Sequence, residues 1–338
     1  MLKEEEKPRQ IGIIGTGLMG ASLATLFTGN GIRVVMLGVS NELIGKGTGI
    51  YQEYFKSLSK ADLITPEQGE ICQSYLSCTT SYEDLKECDF IIEAVVERLD
   101  VKYSVYKDIE NNCTRDCIIT SVTSALSVED LQKGVEYPER FLVSHPWNPP
   151  HLVPCVEVVK SEKTSEETLS KAISFFEAAK REVVVVRKSV PGFIGNRLMH
   201  AMYREATWLV ENGVATAEDI DRTLMYSFGP RYSKIGIFEH NDYVGLDMVK
   251  NISEYLYPDL CVSSVPMQKM VELNDKNEIG YKAAAKKGYL DWNKKDMVEF
   301  KRRQEMPYLQ FFDWGLPTCK NGKRFKGKIG GALYEYAN

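Results

Sequence analysis

The chain has 338 residues, a formal net charge of −5, 43% hydrophobic residues and 26% charged residues. That composition describes a soluble globular protein with length for two domains, and its acidic balance argues against a nucleic-acid or anionic-membrane partner. No apolar run reaches membrane-spanning length, and Met1-Leu2-Lys3-Glu4-Glu5-Glu6-Lys7 is charged where a signal peptide would be apolar.

The first predicted strand, Ile11–Ile14, runs straight into Gly15-Thr16-Gly17-Leu18-Met19-Gly20, and an apolar-periodic helix (Ala21, Leu23, Ala24, Leu26, Phe27) leaves it. In that setting the glycine triplet carries a mechanism. Gly15 allows the tight turn, Gly17 lets backbone approach a pyrophosphate, and Gly20 lets helix pack close on strand. Leu18 and Met19 open the helix whose free N–H groups would meet the phosphates. A tight turn opening an ordinary α/β domain is the plainer alternative.

Further short apolar runs predict strands at Arg33–Leu37, Phe90–Ala94, Cys117–Thr120, Phe141–Ser144, Val153–Val159 and Val183–Val186. Helical patterns lie between them, from about Ile44 to Leu58 and again from Thr65-Pro66-Glu67, a cap residue followed by proline. The expected fold class is therefore α/β, a doubly wound and mainly parallel sheet of Rossmann type. After Ser189-Val190-Pro191-Gly192 the character changes to helix, at Phe193–Asn212, Thr216–Ser227, Leu246–Leu256 and Val265–Asn274. The expected domains are 1–189 for nucleotide binding, 190–292 as an all-α unit, and 293–338 as a basic, aromatic extension. That extension reads equally as an arm on a partner subunit or a loose tail. Eight cysteines without paired spacing, and no histidine near Cys113-x-x-x-Cys117, predict buried reduced thiols, no metal site and a cytoplasmic setting.

Of four histidines, His145 lies at the end of a predicted sheet strand, where α/β proteins bind ligands. Glu157, twelve residues on, can accept its second ring N–H if the two segments are neighbours, the base-plus-orienter arrangement. A loop histidine before prolines is the alternative. Ser121-Val122-Thr123-Ser124 places hydroxyls at another strand end, for a substrate oxygen or for capping the helix at Val128-Glu129-Asp130. Asn196 follows early in the next helix.

Taken with Ile91–Lys102, Ser121–Leu126, His145–Asn148, Val156-Glu157-Val158, Pro191–Arg197 and Asp242–Asp247, these stretches resemble the L-3-hydroxyacyl-CoA dehydrogenase family over roughly residues 10–292. The resemblance implies that His145 takes the 3-hydroxyl proton while hydride leaves for a nicotinamide. Glu157 would orient it, and Ser124 and Asn196 would bind the reacting oxygen. It further implies that Glu97, Lys102, Ser124 and Asn148 line the nicotinamide-ribose side of the cofactor, and that the helical domain makes a homodimer.

Three departures stand out. Gly38-Val39-Ser40-Asn41 replaces the family's acidic residue for the adenosine ribose, so NAD is expected with NADP not excluded. Lysines for the CoA phosphates are thin, Lys46, Lys56 and Lys60 being the candidates. Gly229-Pro230-Arg231-Tyr232 is similar to the branch that oxidises free hydroxy acids, such as L-gulonate 3-dehydrogenases (the lambda-crystallin type) and L-carnitine dehydrogenases. There Arg231 would clamp a carboxylate, a surface ion pair being the other reading. Asp242–Asp247 and Lys286–Trp292 instead resemble the CoA branch. The expected substrate is a short 3-hydroxyacyl-CoA, with a free 3-hydroxy acid as the alternative. A non-catalytic, crystallin-like scaffold is the reading from another class.

Overall fold

A computed structural model describes residues 10–312 and Trp314. In chain order it contains β1 (Gln10–Ile14), α1 (Leu18–Gly29), β2 (Arg33–Leu37), α2 (Asn41–Lys60), α3 (Pro66–Gln73), β3 (Leu76–Thr79), β4 (Phe90–Glu93) and α4 (Leu99–Asn112). Then follow β5 (Ile118–Ser121), α5 (Val128–Leu131), β6 (Phe141–Pro146), β7 (Cys155–Val159), α6 (Glu166–Ala178) and β8 (Glu182–Val186). The helical remainder is α7 (Gly195–Glu211), α8 (Ala217–Tyr226), α9 (Ile237–Val244), α10 (Leu246–Leu256), α11 (Gln268–Asp275) and α12 (Met297–Leu309).

The eight strands form one sheet in the order β3-β2-β1-β4-β5-β6-β7-β8, parallel except where β7 runs antiparallel to β6. The strand order reverses between β1 and β4, which places the ligand crevice of a doubly wound sheet at their carboxyl ends. The central strands are buried on both faces, as their unbroken apolar runs require. Leu76–Thr79 escapes the sequence pattern because an edge strand with half-exposed residues needs no apolar run. The strand expected from Val153 begins only at Cys155, after Pro154, which has no N–H for the ladder. In the other direction, β6 extends past Ser144 to Pro146 because β7 pairs along it.

Two compact units divide the described chain. One holds the residues up to Ile194 together with those from Tyr308 onward; the other is Gly195–Pro307. The expected extension is thus not one body. Tyr308, Leu309, Phe312 and Trp314 pack on the core of the first unit, and Trp314 is buried beside Phe55 and Gly29. The basic residues Lys320, Lys323, Arg324 and Lys326 lie outside the described residues. All seven cysteines of the described residues are free; Cys78 is exposed, against the expectation of buried thiols. Among the described residues no helix is long and apolar enough to cross a membrane, and no group of side chains is arranged to hold a metal ion.

The loop after β6 is tied down from two sides. The Ser22 hydroxyl on α1 shares a hydrogen bond with His151 Nδ1 at 2.7 Å and accepts the His151 backbone N–H at 3.2 Å. Arg181 donates to the carbonyls of Pro150 and Val153, both at 3.1 Å. Burial, reinforced by Arg181, lowers His151 to a pKa of about 3. The sign follows: the unfolded chain binds this proton below pH 6.5 and the folded chain does not, so stability is lost as pH falls through that window. Between pH 7 and 5.5 this one group is expected to cost about 1 kcal/mol. Urea titrations of wild type and His151→Asn at both pH values measure it as the difference between the two slopes. Equal slopes would assign the titration elsewhere.

Candidate active site

The glycine turn supplies one wall of the crevice. Gly15 has φ +113, and a Cβ there would lie 2.5 Å from the Ala94 carbonyl oxygen. A Cβ on Gly20 would lie 1.9 Å from the Gly15 carbonyl oxygen, so helix and turn touch backbone to backbone. Gly17 differs: nothing lies within 4 Å of its Cβ position. Its open face adjoins the N-terminus of α1, which has no side-chain cap and no acidic residue in its first turn, with Leu18 exposed. Unspent N–H groups, a positive dipole end and an unobstructed glycine fit a diphosphate.

At the end of β2, Gly38 is set by packing as well as by ligand logic. A Cβ there would meet Ile44 at 2.7 Å and Thr16 at 2.9 Å. The Ser40 hydroxyl is spent on capping α2 through the Leu43 N–H, so it is engaged within the fold.

At the end of β6 stands His145, 5% exposed. Register places it directly opposite Glu157 on β7, and its Nδ1–H donates to Glu157 Oε2 at 2.8 Å. With that tautomer Nε2 is an acceptor, and the Ser124 hydroxyl donates to it at 3.1 Å. Glu157 Oε1 meanwhile accepts the Ile194 backbone N–H at 2.8 Å. Trp147 and Phe193 flank the imidazole, with ring centroids 5.8 and 5.4 Å away. Phe193 holds a left-handed φ of +49 after Gly192 at +78, a conformation costing on the order of 1 kcal/mol for a residue with a Cβ. The turn sets the Phe193 ring on His145 and the Ile194 N–H on Glu157. Exposed Asn148 lies two residues beyond β6.

A second carboxylate system lies under the end of β4. Glu93, fully buried, accepts from the Val95 N–H, from Tyr106 Oη at 2.9 Å, from Ser121 Oγ at 2.7 Å and from Lys102 Nζ at 2.8 Å. Lys102 also reaches Glu97 Oε2 at 3.2 Å. Glu97 is 39% exposed, and its Oε1 accepts from the Thr123 hydroxyl and from the Ser124 and Ala125 N–H groups at 3.2 and 3.3 Å. Burial pushes its carboxyl up, but the Thr123 hydroxyl and the Lys102 ammonium outweigh this and hold it below the usual carboxylate range. Lys102 itself is 1% exposed, so it stands beneath the surface that it was expected to line. Ser127, not the Ser121–Ser124 cluster, caps the helix at Val128.

In the helical unit, Asn196 opens α7. Arg231 donates Nη1–H to His240 Nε2 at 2.6 Å, the two carried on a 3-10 turn and on α9. On α2, Lys46 pairs with Glu42 at 2.7 Å and Lys56 with Glu53 at 2.6 Å, while Lys60 sits in the last turn.

The family model described as 3-hydroxyacyl-CoA dehydrogenase, NAD binding domain, matches residues 10–190, and that of the C-terminal domain matches 192–292. The chain belongs to the 3-hydroxyacyl-CoA dehydrogenase family. It is an oxidoreductase of CH–OH groups whose nucleotide-binding domain takes NAD. Among curated relatives, an L-carnitine dehydrogenase of Oceanobacillus iheyensis is 34% identical over 230 residues, 68% of this chain and 74% of that protein. A 3-hydroxybutyryl-CoA dehydrogenase of Clostridioides difficile is 31% identical over 290 residues, 84% of this chain and 100% of that protein. Among solved structures, an NAD+-dependent 5-formyl-3-hydroxy-2-methylpyridine 4-carboxylic acid 5-dehydrogenase aligns with a TM-score of 0.80 at 29% identity. The alignment covers 89% of this chain and 96% of that one.

Proposed function

We propose that the chain oxidises a small secondary alcohol that also carries a carboxylate, with His145 as general base. The observation behind this reading is the line Glu157 Oε2–His145–Ser124 Oγ at the carboxyl end of the sheet. Nε2, the acceptor nitrogen, takes the carbinol proton, and the Glu157 carboxylate stabilises the imidazolium that forms. The Ser124 hydroxyl turns to the substrate oxygen, and Asn196 keeps the role of amide partner implied by family resemblance. The Gly15–Gly20 turn and the α1 N-terminus would hold NAD, which would supply the hydride acceptor for the oxidation.

Arg231 favours a free carboxylate. It spends one N–H on the His240 ring, whereas Arg222, Arg302 and Arg303 of the same unit pair with acids. On α2, two of the three lysines expected for CoA phosphates are engaged by glutamates. The carnitine relative, which acts on a carboxylate-bearing alcohol by its name, agrees. A short 3-hydroxyacyl-CoA is the second reading, favoured by Asp242–Asp247, Lys286–Trp292 and the full-length match to the hydroxybutyryl-CoA enzyme.

NADH formation at saturating NAD+ with L-carnitine, 3-hydroxybutyrate and 3-hydroxybutyryl-CoA separates these readings. Arg231→Met is expected to raise KM for the free acid about 10- to 100-fold while sparing kcat, as loss of a bidentate carboxylate contact does. Activity confined to the thioester, indifferent to Arg231, would favour the CoA reading.

We further propose that the helical unit makes a homodimer. No residue of α7, α8 or α10 is buried, yet α10 carries Met248, Ile252 and Leu256 at helical spacing, the first two 54% and 52% exposed. Apolar stripes of this kind mark an interface. Light scattering is expected to give twice the chain mass, and Ile252→Glu to give monomer. Free thiols throughout the described residues fit a reducing, cytoplasmic compartment.

A further inference from the structure

The adenosine end of the dinucleotide site lacks its ordinary acid. In sheets of this kind a carboxylate at the end of β2 accepts the 2′-OH of the adenosine ribose and turns away a 2′-phosphate. Here that place is Gly38, and a side chain there would collide with Ile44 and Thr16, which close over its Cα. The groups around it are engaged within the fold. The Thr16 hydroxyl donates to the Leu43 carbonyl at 3.0 Å, the Ser40 hydroxyl caps α2, and Glu42 is paired with Lys46.

A different carboxylate stands beside β2. β3 lies along β2 in parallel register, with Thr79 opposite Leu37, and the Gly38 N–H donates to the Thr79 carbonyl at 3.0 Å. The Thr79 hydroxyl accepts the Ser81 N–H at 3.0 Å, so its own proton goes to Asp84 Oδ2. The turn that carries Asp84 is well seated. The Ser81 hydroxyl accepts the Glu83 N–H, and Leu85 is fully buried in the core that contains Val35 and Leu37 of β2. Asp84 itself is exposed, and no lysine or arginine among the described residues pairs with it. Its Oδ1 stays open to a ligand and its charge is uncompensated.

Resting on the reading of the Gly15–Gly20 turn as the diphosphate seat, we propose that Asp84 is the acid that selects NAD over NADP. It reaches the end of β2 from the turn after β3, where it accepts the ribose 2′-OH and repels a 2′-phosphate. An ionised acceptor makes the stronger hydrogen bond to a hydroxyl, and like charges brought together weaken binding severely. The selecting acid has thus passed from β2 to its neighbour in the sheet, and Ile44 fills the place that it left.

Calorimetric titration of the full-length protein with NAD+ and with NADP+, in the absence of substrate, tests this. Wild type is expected to bind NADP+ about 100-fold more weakly than NAD+. Asp84→Asn keeps the shape and removes the charge; it is expected to cut that ratio below about fivefold, with NAD+ itself weakened by less than about tenfold. Asp84→Glu keeps the charge and is expected to retain a preference of at least about tenfold. Glu83→Gln removes the same charge from the adjoining residue and is expected to leave the ratio within about twofold of wild type, because an exposed charge farther from the ribose is screened. An unchanged ratio in Asp84→Asn, an equal fall in Glu83→Gln, or a wild type that binds both dinucleotides alike would overturn the proposal. Failure of the underlying reading shows separately, as a wild-type protein that binds neither dinucleotide.

Discussion

Replacing His145 with glutamine is expected to lower kcat about 10²- to 10⁴-fold, the range in which a positioned general base contributes. Glutamine fills similar space and hydrogen-bonds both Ser124 and Glu157, but its amide cannot hold a proton. The Gly15–Gly20 turn and the α1 N-terminus lie on β1 and α1, and neither contacts the imidazole in the hydrogen-bond pattern. NAD+ affinity is therefore expected to stay within about threefold, since its phosphate contacts are untouched. Steady-state rates and calorimetric titration decide the matter together. Weakened NAD+ binding with unchanged turnover would move His145 from the chemistry to the cofactor.

Glu157→Gln is expected to cost about 10²- to 10³-fold in kcat, second only to loss of the imidazole. The reason is a count of acceptors. Both carboxylate oxygens accept, one from His145 Nδ1–H and one from the Ile194 N–H. A glutamine offers one oxygen for those two donors, so its NH₂ must face one of them. Either the imidazole turns to its other tautomer, leaving Nε2 protonated and useless as a base, or the Pro191–Ile194 turn loses its anchor. The two are separable. A tautomer fault lowers kcat with little change in melting temperature, whereas a lost anchor lowers both. Glu157→Asp shortens the reach but keeps both acceptors, and is expected to recover part of the rate.

Legibility followed the range of the interactions. The dinucleotide turn is local: strand, three glycines and helix are contiguous, Gly15 and Gly20 each have a steric reason in the structure, and Gly17 faces open space. His145 and Glu157 were legible because twelve residues suffice for two strands to return on one another. The pairing itself was not written in the residues, since β7 runs against β6 and only the register decides which side chains meet. Ser124 was one of three clustered hydroxyls, with Ser121 and Thr123, that composition cannot rank. The structure sends Ser121 to Glu93, Thr123 to Glu97, and only Ser124 to the histidine. Glu93 went unassigned although it offered a signal: a carboxylate closing the buried run Phe90-Ile91-Ile92 must find donors. Beyond the Val95 N–H, those donors come from α4 and β5, and which of their side chains turn under the end of β4 is decided by helix packing rather than by a strand register. Phe193 and the Ile194 N–H were equally hidden, because their part depends on backbone dihedrals.

The return of Tyr308–Trp314 to the first unit has a consequence for biosynthesis. A ribosome completes β1 to β8 and then makes all of Gly195–Pro307 before Trp314 emerges to cover Gly29 and Phe55. Until then the groove between α1 and α2 stays wet, and a nascent chain stalled short of residue 308 displays it to chaperones and proteases. The nucleotide-binding unit, translated before the helical one, is thus sealed after it.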